Sequence, residues 1–377
     1  MKFSVISIYL KFINFVAISY SLEAHIHPSL KVFRRRKVLI PIFLGFGVTF
    51  YLIMRNFDSE AIRAIQWTWH AWFWMGVTIL LVVIRHLAYM YRIRLLTGNL
   101  LSWRRSFDVI SLWEFASSVT PSVVGGSAVA VYIVNKEGVS PGRSAAIVLV
   151  TTFLDELFYV LFVPIVFLIA GAGQIFIQQE SYSFFGSKMG ITGVFVIGYL
   201  LIFVLLSIIV FGVFISPQKF KAILIQIFKI RWLHRWQASA EKAGDDIITT
   251  SAEMRNQSFF FWIKAFSATV VSWVARFMVV NCLILIVVPL SDHFLVFARQ
   301  LVMWVILLVS PTPGSSGVAE LIFSVFLGDF IPKGLGHPMA FLWRLITFYP
   351  YLLLGAVILP AWLKRVYSNY HFPVKSE

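Results

Sequence analysis

Six apolar runs, near positions 38–54, 67–91, 143–170, 191–215, 259–289 and 339–363, constrain this chain more than any other feature. Each is close to the roughly 20 residues that carry a helix across a hydrocarbon core. Backbone groups inside that core have no water to bond, so a spanning segment must close its hydrogen bonds within itself. The 377 residues are 59% hydrophobic and only 13% charged, far from the balance of a soluble globular domain. The expected fold is therefore an all-α polytopic membrane protein with about six full transmembrane helices.

Two further apolar segments, about 109–134 and 299–328, are long enough to cross but are interrupted in the middle. The first interruption runs from Thr120 to Ser127 and contains Pro121, Gly125 and Gly126. The second runs from Ser310 to Gly317 and contains Pro311, Pro313, Gly314 and Gly317. Proline removes a backbone donor and glycine unwinds cheaply, so each stretch is expected to break a helix at membrane depth. Broken backbone at that depth is tolerated around a cavity, and paired breaks in two halves mark a transporter site near the midplane.

The net charge of +15 comes from basic residues gathered between the apolar runs, which read as cytoplasmic anchors rather than a nucleic-acid surface. Treating both broken segments as re-entrant hairpins brings Arg34 to Lys37, Arg92 to Arg105, Lys136 to Arg143, Lys219 to Arg255 and Lys364 to one side. Asp58, Glu60, Glu180 and Asp292 then fall on the other. The hairpins enter from opposite faces, so the halves form an inverted repeat. Proline at a first helical position suits Pro141, and Pro338 punctuates the start of the last span in the same way. The expected organisation is an interfacial or disordered segment over 1–36, a transmembrane domain over 37–366 and a cytoplasmic tail over 367–377. Within the domain, a first repeat covers about 67–215, an amphipathic cytoplasmic elbow 217–257, and a second repeat 258–366.

Ser118 to Ser127, Lys136 to Val139, Phe153 to Asp155 and above all Pro311 to Glu320, with its Pro-Thr-Pro-Gly turn, resemble the lysylphosphatidylglycerol synthase transmembrane region, or flippase-like, family. The resemblance covers nearly all of the chain from the first full span onward. It implies movement of aminoacylated phospholipid between leaflets, with aminoacyl transfer performed by a separate soluble C-terminal domain. The sequence ends at Glu377 without that domain, so the synthase activity is not among the expectations. Ser315 stands where family members often carry a second glycine, which makes the turn less permissive.

Ionised side chains at membrane depth face a partner or water, which makes Asp155, Glu156, Arg276, Glu320, Arg344 and Glu114 the expected substrate-pathway residues. Helix–helix hydrogen bonding is the competing account of the carboxylates, and weighs more for Glu156 than for Asp155. Thr151 and Thr152 lie one turn before Asp155 and Glu156, and Arg276 is the expected counter-charge of Asp155. Arg85 reads as a snorkelling residue near the inner end of its span. Half-helix N-termini after Gly126 and Gly317, with Arg276 and Arg344, would suit a phosphate, and the carboxylates an amine.

No nucleotide-binding loop, Gly-x-Ser-x-Gly elbow or metal spacing among the eight histidines appears, so no catalytic residue, cofactor or metal ligand is expected. The single cysteine, Cys282, excludes a disulfide framework within one chain. The reading that follows is a membrane lipid translocase in a bacterial-type cytoplasmic membrane, with cytoplasmic termini. It moves a polar, phosphate-containing or aminoacylated lipid, with no nucleic acid as partner and a separate lipid-synthesising enzyme as a candidate one. Two rivals are an integral membrane enzyme or glycosyltransferase-associated module acting on lipid-linked substrates, with Asp155 and Glu156 as acid and base, and a small-solute or ion transporter. Neighbouring helical residues point about 100° apart, which weighs against joint catalysis by that pair.

Overall fold

The computed structural model describes residues 67–119, 122–176, 190–229, 237–308, 310, 314–315 and 317–368. The expected span at 38–54, the N-terminal segment and the tail lie outside the described residues, as do Pro121, Pro311 and Pro313. The described residues are helical, with no strand among them.

Thr68 caps α1 (Trp69–Leu96) by accepting from the Ala71 amide at 3.4 Å. The helix stops where Gly98 and Asn99 take positive φ values of 63° and 62°. Two shorter helices follow, α2 (Trp103–Val119) and α3 (Ser122–Lys136), which pack on each other. Pro141 opens α4 (Pro141–Ala170) at its N-terminus, as the sequence leads one to expect, and Gly171 at φ 77° closes it. A single turn, α5 (Ala172–Ile175), and the very apolar α6 (Ile191–Ile209) come next, the latter running into a π-helical stretch over Val210–Ile215. The polar segment then forms a helical pair, α7 (Pro217–Phe228) and α8 (Gln237–Arg255), with Lys221 bonded to Asp245 at 2.5 Å. Ser258 caps α9 (Phe259–Val287) through the Phe261 amide at 3.2 Å. The remainder comprises α10 (His293–Leu308), the ten-residue α11 (Val318–Leu327), α12 (Gly336–Thr347) and α13 (Tyr349–Ser368).

Five of these segments are long and apolar enough to cross a membrane: α1, α4, α6 with its π-helical extension, α9, and α12 continued by α13. They coincide with five of the six runs read from sequence. The fold is an all-α polytopic membrane protein. At ten to seventeen residues, α2, α3, α10 and α11 are too short to span roughly 30 Å at 1.5 Å per residue.

The parts of the chain interlock. The most extensive helix contact joins α1 to α9, and α2 packs on α13 as well as on α3. Close approach is bought by glycine at two crossings. A Cβ on Gly126 would lie 2.8 Å from the Ser117 Cα, and one on Gly355 would lie 2.2 Å from the Phe115 Cβ. Gly126 is therefore a packing residue inside α3, not the unwound start of a half-helix, because the helix begins four residues earlier at Ser122. Gly125 lies in the same helix.

Two apolar clusters result. One gathers Phe158, Phe277, Leu301, Phe323 and Trp343 from α4, α9, α10, α11 and α12. The other gathers Ile93, Leu112, Val134, Leu154 and Trp362 from α1, α2, α3, α4 and α13. On α4 the seam between them falls between Leu154 and Phe158, where the sequence places Asp155 and Glu156.

Candidate functional site

A cavity of about 240 Å³ occupies that seam, room for a headgroup rather than for one ordered water. Its wall draws on α1, α2, α4, α9, α10 and α12, and on the ends of both broken segments. Those segments meet here. Gly314 has φ 55°, and a Cβ on it would stand 2.9 Å from the Ser118 carbonyl oxygen and 2.5 Å from the Phe348 ring. Only glycine satisfies the left-handed backbone and the close approach together. Ser315 follows with φ 53°, a conformation that costs a residue with a Cβ roughly 1–2 kcal/mol, and its hydroxyl donates to the Leu307 carbonyl at 3.3 Å.

Asp155 does not pair with Arg276. Arg92 donates to both of its carboxylate oxygens, at 2.7 and 3.0 Å, and Trp273 Nε1 donates to Oδ1 at 2.9 Å. The same guanidinium reaches Thr269 Oγ1 at 2.8 Å. Arg92 is 3% exposed, so it is a buried counter-charge and not the cytoplasmic anchor that its place near the basic cluster suggests. The correction has a geometric cause: α1 and α9 share the most extensive interface of the fold, and that packing sets Arg92 against Thr269. The threonines of α4 do not pair with the carboxylates either. Thr151 and Thr152 turn back to the carbonyls of Ile147 and Val148, at 2.9 and 3.0 Å.

Arg85 is also buried, at 3% exposure, and donates to Glu114 Oε1 at 2.5 Å while lying over the Tyr89 and Tyr351 rings. Snorkelling is excluded, since α2 crosses beside this turn of α1 and supplies a carboxylate. Glu114 itself lines the cavity.

Glu320 lies outside the cavity wall and organises it. One oxygen accepts from the Gly317 amide at 2.7 Å, capping α11, and the other faces Arg344 Nε at 3.2 Å. The amide expected to be free for an anion at this helix start is thus occupied by the chain's own carboxylate. Arg344 lines the cavity with its guanidinium over the Phe348 ring at 3.7 Å, and donates to the Gly314 carbonyl at 2.8 Å.

Two lining groups stand apart. Glu156 is 5% exposed, and its Oε2 is buried without a hydrogen-bond partner among the described residues. Arg276 makes no ion pair or hydrogen bond among the described residues; its guanidinium lies 4.0 Å from the Trp304 ring centroid and 5.2 Å from that of Trp273. The contributions of Arg92, Trp273 and Trp304 escaped the reading of the sequence. A tryptophan in an apolar run looks like lipid contact, and only the facing of helices distant in sequence reveals it as a cavity wall. Among the described residues no group of histidine, cysteine and acidic side chains is placed to hold a metal.

Toward one end of the fold a second polar cluster ties α2, α3 and α13. Arg365 pairs with Glu137 and with Asp108, the latter at 2.9 Å, and Trp362 Nε1 donates to Glu137 at 2.7 Å. At another, Arg299 of α10 donates to the Gln174 and Phe326 carbonyls and to Asp329, each at 3.0 Å. Arg299 is buried and meets helix-end carbonyls that would otherwise lack partners, whereas the partly exposed Arg365 ties its helices through carboxylates.

The chain is 28% identical over 331 residues to an Archaeoglobus fulgidus protein described as a UPF0104 membrane protein, covering 85% of this chain and 95% of that one. The model of the lysylphosphatidylglycerol synthase TM region matches residues 38–355, from before the first described helix into α13. This multi-pass, membrane-embedded chain belongs to the lysylphosphatidylglycerol synthase TM region family.

Proposed function

We propose that the chain is a lipid translocase of flippase type, which moves a polar, phosphate-containing or aminoacylated lipid between leaflets. One observation carries this reading: a headgroup-sized cavity, rich in charge, lies between two apolar clusters where the two broken segments touch. Charge at membrane depth is costly and is retained where it serves a polar passenger. A headgroup passes through the cavity while its acyl chains stay in lipid.

In this reading α2 with α3, and α10 with α11, are re-entrant hairpins entering from opposite faces, and the chain is an inverted repeat over about 67–215 and 258–366. The membrane is a cytoplasmic one and both termini are cytoplasmic. Asp155, Glu156, Arg276, Arg344 and Glu114 form the pathway, and Glu320 holds Arg344 in it. The chain is a transporter and not an enzyme; both oxygens of Asp155 are engaged by Arg92, which leaves it poorly placed as an acid or base. A separate enzyme supplies the lipid.

The test is leaflet exchange of headgroup-labelled anionic, zwitterionic and aminoacylated lipids in proteoliposomes holding the purified chain. Acceleration of at least one lipid over protein-free vesicles is expected. No acceleration of any, by protein that remains folded after reconstitution, removes the translocase reading in favour of small-solute transport or lipid chemistry.

A further inference from the structure

We propose that the cavity is a receptor for one phosphodiester group whose neighbour carries an N–H or O–H donor, with Arg276 taking the phosphate and Glu156 the donor. The inference deepens the translocase reading and rests on it only in treating the ligand as a lipid headgroup.

The argument begins with which charges are already spent. Around the cavity Arg85 is held by Glu114, Arg92 by Asp155, and Arg344 by Glu320. Arg276 alone of these four arginines has no ion partner among the described residues, although it sits mid-way along α9 in a span of 29 residues. Stacking on Trp304 and Trp273 covers the face of its guanidinium. A cation–π contact leaves the in-plane N–H edge unused, and that edge is the part of arginine that matches paired phosphate oxygens. The rings also fix the plane of the fork, so little side-chain freedom is lost when an anion docks.

Glu156 supplies the second half. Its Oε2 is enclosed without a donor, and a buried acceptor left unmet is expensive. Ethanolamine and glycerol headgroups bring N–H or O–H donors beside their phosphate. A trimethylated choline brings none. A phosphomonoester brings a second negative charge, and Arg276 is the one of the four arginines without an ion partner among the described residues, so that extra charge is left uncompensated. Phosphatidylethanolamine and phosphatidylglycerol therefore rank above phosphatidylcholine and phosphatidate. The same chemistry exists in water-soluble glycerophosphodiesters.

Equilibrium binding to the full chain in detergent tests this directly, with short-chain versions of those four lipids and with free glycerophosphoethanolamine as probes. Wild-type protein is expected to hold the ethanolamine and glycerol lipids at least about tenfold more tightly than the other two, the scale of one hydrogen bond to a charged group. Arg276→Gln should weaken both favoured lipids about tenfold or more, and Arg276→Lys should recover part of that loss. Glu156→Met should erase the preference for ethanolamine over choline while phosphatidylcholine binding persists. Because Arg276 has no ion partner to orphan, Arg276→Gln should keep its melting temperature within a few degrees of wild type, so lost binding would not be lost folding. Equal affinity for ethanolamine and choline lipids in the wild type, or unchanged affinity in Arg276→Gln, overturns the proposal. Competition by glycerophosphoethanolamine upholds Arg276 as receptor and identifies a soluble source, whereas lipid binding without that competition upholds it with lipid as the source. Arg276-dependent binding without leaflet exchange would sink the translocase reading and leave the receptor standing. Exchange indifferent to Arg276→Gln would do the reverse.

Discussion

Removing Arg92 should destabilise the protein far more than removing Arg276, and the reason lies in what each leaves behind. Arg92→Met strips Asp155 of two hydrogen bonds, at 2.7 and 3.0 Å, and leaves it only the Trp273 donor at 2.9 Å. Breaking a buried pair from one side costs about 3–5 kcal/mol, because the surviving charge stays desolvated. The Asp155 side chain keeps 23% of its exposure through the cavity, so water recovers part of that cost, and about 2–3 kcal/mol is expected. Asp155→Asn orphans a guanidinium with 4% side-chain exposure and should cost about 3–4 kcal/mol. Separate effects would sum to about 5–7 kcal/mol. The double variant leaves neither charge unpaired and should lose only about 3 kcal/mol, a coupling of at least about 2 kcal/mol. Arg276→Gln, by contrast, forfeits only stacking on Trp304 and Trp273 and should cost less than about 1 kcal/mol. Equilibrium unfolding in mixed micelles, titrated with a denaturing detergent, measures all four. Additivity of Arg92→Met and Asp155→Asn within about 0.5 kcal/mol would refute the pairing, as would equal coupling of Asp155 to Arg276.

Other perturbations follow from the same contacts. Gly314→Ala must place a Cβ 2.9 Å from the Ser118 carbonyl at a positive φ, and should lower stability by about 2–3 kcal/mol, read as a fall in melting temperature. Ser315→Gly relieves the left-handed backbone at the loss of one long hydrogen bond and should be stabilising by up to about 1 kcal/mol; a lower melting temperature would count against strain at that residue. Gly126→Val should separate α2 from α3 and reduce the yield of folded protein, since even a Cβ there falls 2.8 Å from the Ser117 Cα. Cysteines introduced at the exposed Ser140 and Lys219 should react with an impermeant thiol reagent from one side of the membrane and a cysteine at Asp292 from the other, against the low background of buried Cys282. Labelling of Ser140→Cys and Lys219→Cys from opposite sides would rule out the paired-hairpin topology.

The apolar runs alone determined that this is a helical membrane protein, and they located five of its crossings to within a few residues. That much is local: run length against bilayer thickness decides where a helix must span, whatever its neighbours. The proline at the head of α4 and the two broken segments were legible for the same reason, as properties of short stretches. Pairing was not. Arg92 looked like part of a cytoplasmic cluster, Arg85 like a snorkelling residue and Arg276 like the partner of Asp155, because sequence gives depth along one helix and not which helix faces it. The packing of α1 on α9 and α4 brings Arg92 to Asp155 and leaves Arg276 among tryptophans. The crossing of α2 on α3 assigned Gly126 to packing, and the capping of α11 took Glu320 out of the cavity wall. Spans are set by the solvent, which the sequence meets residue by residue, whereas charge partners are set by contacts between helices far apart in the chain, which exist only once the bundle has packed.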